Sequence, residues 1–271
     1  MIPVLWKRVL TAAVLLPLLV GIVLYGKGWP FTLLVECTAL LCAREYFRMF
    51  FPSPREWWVG IALTGLIYAS GALLPFPLAV SSLLCIVALA VFHFLRVEGT
   101  MEERVRGAAL TVLGAVYLGG FLSAYPRTIH LPRGEHWVFL GLVTVVAVDT
   151  VAYFAGRAWG KRPLSPRISP NKTVEGAVGG FLASALGGAA YAAAFLPAVP
   201  SWFALAASAV LGAVGQGGDL FESMLKRAAG VKDSGTLLPG HGGMFDRADA
   251  LVAAGPPLYL LSLLSPLVGG P

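Results

Sequence analysis

The chain is short of charged residues, and this shortage narrows the class of protein. Asp, Glu, Lys and Arg together supply 13% of its 271 residues, whereas soluble domains contain roughly 25%. The apolar set AVILMFWYC supplies 57%. An ordinary soluble domain, a disordered tail and a collagen are therefore excluded, and the composition is that of a polytopic membrane protein.

Cysteine is also scarce, and its pattern points to no crosslink. The three cysteines, Cys37, Cys42 and Cys85, all lie in apolar stretches and form no CxxC or Cys/His spacing. A disulfide-stapled secreted domain is therefore excluded. We expect reduced side chains that fill apolar space, with neither a disulfide nor a zinc role.

Long apolar runs predict an all-α fold of about nine transmembrane helices. A bilayer core of about 30 Å needs about 20 apolar residues per helix. Such runs occupy residues 9–25, 31–51, 57–74, 76–95, 107–125, 136–155, 176–196, 202–221 and 250–268. We divide this single membrane unit into N-terminal helices, 1–130, and C-terminal helices with the polar loops, 131–271.

Lys and Arg are distributed unequally between the two sides of these spans. Sixteen lie on the side of the N-terminus and three on the other side, while Arg44 lies inside the second span. Because cytoplasmic loops are rich in Lys and Arg, we predict a multi-pass protein of the cell (inner) membrane with its N-terminus in the cytoplasm and its C-terminus outside. The net charge of +6 then reflects topology and anionic lipid, and we expect no nucleic-acid partner.

Acidic residues gather at the cytoplasmic ends of the predicted spans, next to two long loops at 156–175 and 222–247. An ionisable group within a span is costly and usually functional. Any one of them could instead be the buried counter-ion of an arginine. Five carboxylates at one level favour a cation site; they are Asp149, Glu175, Asp219, Asp246 and Asp249.

The end of the eighth span carries acidic and basic residues on one helical face. Asp219, either Glu222 or Ser223, and Lys226 recur at a spacing of about one turn. This stripe suits a phosphate–metal complex, because Mg²⁺ takes carboxylate and phosphate oxygens and Lys226 with Arg227 would neutralise further phosphate charge. The alternative is a basic pair at a helix end, with Glu222 as its surface partner.

The following loop contains a glycine-rich turn before the ninth span. Glycines at 240, 242 and 243 allow a tight turn whose amides can face an anion. The start of the ninth span, with Asp246 and Asp249 one turn apart, favours bound phosphate. His241 is either a locally bonded turn residue or an acid–base group. In the other loop, Gly160-Lys161 is not a Walker A sequence, and the glycines between 176 and 188 are interpreted as helix-packing positions.

The segment 223–249 resembles the signature of phosphatidate cytidylyltransferases. The matching residues are Ser223-x-x-Lys226-Arg227, Lys232-Asp233, Pro239-x-His241-Gly242-Gly243 and Asp246-Arg247-x-Asp249. The stretches 149–161 and 169–176 are similar to the same family, so the resemblance covers roughly the C-terminal half. It implies Mg²⁺-dependent transfer of CMP from CTP to phosphatidic acid, which gives CDP-diacylglycerol and pyrophosphate. It also implies an all-helical multi-spanning fold and a homodimer.

The resemblance also assigns roles to individual residues. Asp219 and Asp246 are implied as metal ligands, with Asp249 and Asp149 as further members of the acidic cluster. The implied catalytic residues are Asp219, Asp246, Lys226 and Arg227. The implied substrate-binding residues are Lys172, Ser223, Lys232, Asp233, His241, Gly242, Gly243 and Arg247.

The proposed chemistry needs charge neutralisation more than a protein nucleophile. The lipid phosphate is itself an ionised nucleophile, so no Ser, Cys or His is required to attack. Two unit charges 4 Å apart interact by about 4 kcal/mol at an effective dielectric of 20, and both substrates are polyanions. Two alternatives are a CTP-dependent lipid-alcohol kinase and an ion-coupled transporter. A transporter favours acids spread across the membrane, but only Glu36 lies deeper toward the outside.

Overall fold

The protein is almost entirely helical in a computed structural model, which describes residues 17–26, 28–237 and 242–266. Helix α1 covers residues 17–25 within this part. The elements that follow are α2 (Trp29–Phe50), α3 (Pro54–Leu73), α4 (Phe76–Leu95), α5 (Met101–Ala115), a π-helical turn (Val116–Gly120), α6 (Ala124–Ile129), α7 (Gly134–Trp159), β1 (Pro163–Ser165), β2 (Ser169–Thr173), α8 (Val174–Phe195), α9 (Ser201–Ala228) and α10 (Phe245–Leu263).

Five helical segments in the described part are long and apolar enough to cross a membrane. They are Phe76–Leu95, Met101–Ile129, Gly134–Trp159, Val174–Phe195 and Ser201–Ala228. The prediction of a helical membrane protein is therefore confirmed at this level. The count of nine spans and the orientation stay predictions, and the first and ninth predicted spans lie partly outside the described residues.

The predicted fifth span, 107–125, is not one uninterrupted α-helix. Helix α5 begins with a capping box, in which Thr100 Oγ1 accepts from the Glu103 amide at 3.2 Å and Glu103 Oε2 accepts from the Thr100 amide at 2.8 Å. The helix then passes through the π-helical turn, where Gly119 lies against the backbone of α3. A side chain at Gly119 would collide with the Thr64 carbonyl, so glycine permits this close approach.

The loop between α7 and α8 contains an antiparallel hairpin, which the sequence does not predict. Strands β1 and β2 pair Pro163 with Thr173 and Ser165 with Ser169. Thr173 ends the hairpin and caps α8, because its Oγ1 accepts from the Gly176 amide at 3.1 Å. The hairpin thereby fixes β2 beside the first turn of α8.

Small residues let the C-terminal helices pack closely, as the sequence predicts. A Cβ at Gly176 would lie 2.7 Å from the Ala152 carbonyl, and one at Gly180 would lie 2.9 Å from the Val148 carbonyl. Helix α8 therefore packs directly on the backbone of α7. The N-terminal helices join this group through α2, since Tyr46 and Phe245 of α10 are both fully buried with ring centroids 6.4 Å apart.

Candidate active site

Three carboxylates from α9 and α10 converge on one point. Oxygens of Asp219, Glu222 and Asp249 lie within 4.8 Å of one another. Asp219 and Glu222 share a face of α9 because they are three residues apart. Glu222 is 1% exposed, and its Oε1 has no hydrogen-bond partner among the described residues. These three residues are called the acidic triad below.

Two lysines form ion pairs with acids of the triad. Lys172 of β2 forms an ion pair with Asp219. Lys226, one turn beyond Glu222 on α9, lies 2.8 Å from Glu222 Oε2 and 2.8 Å from Asp246 Oδ1. The Lys226 side chain is only 13% exposed. The site is therefore an alternating set of negative and positive groups rather than a simple acidic patch.

Asp246 binds protein donors with both of its oxygens. Oδ1 accepts from Lys226 Nζ at 2.8 Å and Oδ2 from the Gly243 amide at 2.9 Å. The Ser234 amide donates to both oxygens, at 3.2 and 3.1 Å. The metal-ligand role of Asp246 stays a prediction, and the geometry favours Asp219 with Glu222 and Asp249 instead.

The start of α10 differs from the predicted phosphate-binding turn. The amide of Gly243 donates to Asp246, while those of Met244 and Phe245 donate to Glu45 of α2. These three amides thus face protein carboxylates. Gly242 adopts a φ of 83°, which fits its predicted place in a tight turn. His241 lies outside the described residues.

The other predicted site residues are not all near the triad. Ser223 is half-buried on α9, whereas Lys232 and Asp233 are exposed in the segment after it. Arg227 turns away and donates to the carbonyls of Ile168 and Val231, at 3.4 and 3.2 Å.

Glu175 also lies apart from the five-carboxylate cluster that the sequence predicts. Its Oε2 accepts from the amides of Lys161 and Arg162 at 3.0 and 3.2 Å, and its Oε1 lies 3.4 Å from Arg162 Nε. Glu175 therefore binds the two residues that directly precede the hairpin.

A cavity of about 520 Å³, with polar and charged side chains on a partly apolar wall, opens beside the triad. The hairpin, α7, α8 and α9 line it, and both Asp219 and Lys172 reach its wall. Asp149, predicted as a further cluster member, lies on the same wall with Arg157 and Gln216. The cavity therefore joins hydrogen-bonding groups, cations and one member of the triad.

A second cavity, of about 270 Å³, is almost wholly apolar. Residues of α1, α2, α6, α7 and α10 line it, including Leu34, Tyr125 and Leu251. Arg247, a predicted substrate-binding residue, lies on this wall next to Ala248. On α10, positions 247 and 249 are about 200° apart, since each residue advances the helix by about 100°. Arg247 and Asp249 therefore lie on different faces of α10.

The sequence matches one protein family along nearly all of its length. The profile of the Cytidylyltransferase family covers residues 6–264. The chain belongs to this family.

Individual family members show the same relationship. Phosphatidate cytidylyltransferase from Brucella abortus biovar 1 (strain 9-941) is 37% identical over 254 residues, which cover 90% of this chain and 85% of that protein. The phosphatidate cytidylyltransferase of Staphylococcus aureus (strain COL) is 33% identical over 269 residues, covering 95% and 99%. That of Bacillus subtilis (strain 168) is 43% identical over 154 residues, covering 56% and 57%.

The triad of this cytidylyltransferase fits a hard divalent cation such as Mg²⁺. Its donors are carboxylate oxygens, the type that Mg²⁺ prefers. The unpartnered Glu222 Oε1 is a buried acceptor that a cation would satisfy.

Two acidic residues of the site were not assigned from the sequence. The sequence offers Glu222 either as an alternative to Ser223 on the charged face of the helix or as a surface partner of the basic pair, and the structure buries it within the triad. Glu45 is not among the predicted site residues, although an ionisable residue within an apolar helix usually has a function. Its partners lie almost 200 residues later in the chain, so sequence spacing did not reveal them.

Proposed function

We propose that this membrane cytidylyltransferase transfers CMP from CTP to phosphatidic acid, giving CDP-diacylglycerol and pyrophosphate. A phosphate oxygen of the lipid attacks the α-phosphorus of CTP, and the bond to the pyrophosphate leaving group breaks. The single observation that carries the proposal is the acidic triad beside the cavity, with Asp219 in both and Lys172 paired to it.

The acids of the triad are the proposed holders of Mg²⁺. Asp219, Glu222 and Asp249 would coordinate the ion, which when bound supplies positive charge to the reacting phosphates and the departing pyrophosphate. Glu222 is supported by its burial and its unpartnered oxygen. Asp219 is supported by its position at the wall of the cavity.

The lysines supply the remaining positive charge. Lys172 reaches both Asp219 and the cavity, so its ammonium group can contact a phosphate there while it stays close to the triad. Lys226 is held between Glu222 and Asp246, which fixes its ammonium group without a substrate. Asp246 in this proposal orients Lys226. Such fixed charges stabilise a transition state without reorganisation.

The two substrates approach from different media. CTP would enter the cavity beside the triad from the cytoplasm, in agreement with the Lys and Arg distribution of the loops. The acyl chains of phosphatidic acid stay in membrane lipid, so the site opens laterally to the bilayer. A homodimer, implied by the family resemblance, belongs to the same proposal, and mass measurement of the purified protein tests it.

Product analysis with the purified protein tests the activity. With CTP, Mg²⁺ and phosphatidic acid, we expect pyrophosphate and a lipid that carries CMP. A lipid-alcohol kinase would instead release CDP, and an ion-coupled transporter would move ions without nucleotide. Either result would contradict the proposal.

The residue assignment is tested by a matched pair of substitutions. Glu222→Gln should lower kcat by at least about tenfold and raise the Mg²⁺ concentration for half-maximal rate, since a ligand is lost. Glu102→Gln, at an exposed position of α5, should leave both unchanged. Equal activity of the two variants would remove Glu222 from the site.

A further inference from the structure

Glu45 is a buried carboxylate near the end of α2, far in sequence from the residues assigned to chemistry. It lies five residues before the last residue of the helix and is 4% exposed. A buried ionisable group needs several hydrogen bonds to offset its lost hydration. The partners of Glu45 therefore indicate what the residue does.

Among the described residues, the hydrogen-bond partners of Glu45 are Ser234 and two residues at the start of α10. Oε1 accepts from the Met244 amide at 3.0 Å. Oε2 accepts from the Phe245 amide and from Ser234 Oγ, both at 2.9 Å. The first amides of a helix have no intrahelical acceptor, and Met244 provides no side-chain cap. Glu45 supplies that cap from another helix, where the helix dipole favours a negative group.

Ser234 connects Glu45 to the charged site. Its hydroxyl donates to Glu45 and also accepts from the Asp246 amide at 3.3 Å. Its own amide donates to the Asp246 carboxylate, which in turn accepts from Lys226. Ser234 therefore bridges Glu45 and the Asp246–Lys226 pair by hydrogen bonds.

Two glycines leave room for this carboxylate. A Cβ at Gly235 or at Gly243 would lie 2.5 Å from an oxygen of Glu45, closer than atoms approach in practice. The segment 234–235 and the turn at 243 thus close around the Glu45 side chain. This packing requires glycine at both positions for reasons of space.

We infer that Glu45 is a positioning residue that sets the start of α10 and, through Ser234, the place of Asp246 and Lys226 beside the triad. The inference rests on the proposed function for its kinetic consequence. It assigns to an N-terminal helix a direct part in ordering the catalytic half of the chain.

Glu45→Gln tests the inference with almost no change of shape. A glutamine offers one carbonyl oxygen, so its amide group must face either the Met244 or the Phe245 N–H. We expect kcat to fall by at least about tenfold and the Mg²⁺ concentration for half-maximal rate to rise, as for other residues that orient a metal site. Hydrogen exchange of residues 243–248 in the absence of substrates should become faster.

Glu36→Gln on the same helix is the matched control and should leave all three readouts unchanged. A purely structural role would lower the melting temperature but leave kcat, the Mg²⁺ dependence and the exchange of folded protein unchanged; that result would overturn the inference. If Glu45→Gln does not fold, Ser234→Ala replaces it and should shift the same readouts in the same direction. Failure of both variants to fold would show a role in stability alone and would also overturn the inference.

The exchange measurement separates this inference from the proposed function. Wild-type protein that makes no CDP-diacylglycerol would refute the proposed function. Faster exchange at 243–248 in Glu45→Gln would still support the contact in that case. Unchanged exchange in an active, folded Glu45→Gln protein would refute the positioning role and leave the proposed function intact.

Discussion

At the scale of single residues, two adjacent cations of the signature have different surroundings. Lys226 is 13% exposed and lies between two carboxylates. Arg227 is exposed and donates to two backbone carbonyls, one of them in the turn of the hairpin. The sequence predicts a common role in phosphate binding, but consecutive helical residues point about 100° apart. Of these two cations, Lys226 is therefore the one that contacts the acids of the site.

Replacing Lys226 should damage both stability and turnover. Lys226→Gln leaves Glu222 and Asp246 close together without their shared cation. Removing one partner of a buried ion pair costs about 3–5 kcal/mol, so we expect a clear drop in melting temperature and loss of nearly all CMP transfer. Lys161→Gln, at an exposed position, is the control. An unchanged melting temperature in Lys226→Gln would contradict the buried ion-pair arrangement.

At the scale of elements, the contact between α9 and α10 determines whether the triad exists. Asp219 and Glu222 come from α9 and Asp249 from α10. Gly218 lies at the contact, where an added Cβ would collide with Ala253 and lie 2.8 Å from the Asp249 carbonyl. The neighbouring Gly217 has open space around the same atom.

These two glycines give a matched test of helix packing. Gly218→Ala should push α10 away from α9, raise the Mg²⁺ requirement and lower kcat. Gly217→Ala should keep full activity and stabilise the helix by about 0.5–1 kcal/mol, because alanine favours a helix over glycine. CMP-transfer kinetics and thermal unfolding measure both effects. Equal behaviour of the two variants would contradict the packing described for this contact.

The sequence predicts the elements unevenly, for physical reasons. Apolar runs of about 20 residues identify α4, α7, α8 and α9 because a membrane helix must cover its length with apolar side chains. The hairpin was missed because strands of three and five residues, Pro163–Ser165 and Ser169–Thr173, are too short for a period-2 pattern. The close packing at Gly176 and Gly180 was predicted because small residues recur along one helix.

In the site as well, residues related by local helical spacing could be recognised from the sequence, whereas contacts between distant parts of the chain could not. Asp219, Ser223 and Lys226 were found because their spacing follows one helical face. The predicted ligand pair, Asp219 and Asp246, stays a prediction, while the geometry favours Asp219 with Glu222 and Asp249. Sequence spacing could not indicate this grouping, because the joining of α9 to α10 depends on packing at Gly218. Glu45 was not predicted as a site residue because its hydrogen bonds join parts of the chain that are far apart in sequence.

At the scale of the whole molecule, the account requires both long polar loops on one side of the membrane. The hairpin loop follows α7, and the segment around 231–247 follows α9. Two segments on the same side of the membrane must be separated by an even number of spans. Helices α8 and α9 together provide this even number, because both are long and apolar enough to cross.

Site-specific labelling tests this topology. The starting protein has Cys37 and Cys85 changed to Ser and keeps only the buried Cys42. A single reporter cysteine is then introduced by Arg167→Cys or by Ala198→Cys, both at exposed positions. A membrane-impermeant maleimide should label position 167 in inverted vesicles and position 198 in right-side-out vesicles. The reverse pattern would place the site outside the cell. Labelling of both positions in the same kind of vesicle would contradict a single crossing of the membrane by α8.

Binding of Mn²⁺ to the purified protein without nucleotide or lipid tests the central claim most directly, because Mn²⁺ takes the same carboxylate ligands as Mg²⁺ and its free fraction is measured by electron paramagnetic resonance. The account predicts that wild-type protein binds Mn²⁺, that Glu222→Gln and Asp249→Asn each weaken binding by at least about tenfold, and that Asp246→Asn retains it. Loss of Mn²⁺ binding in Asp246→Asn together with wild-type binding in Asp249→Asn would contradict the account.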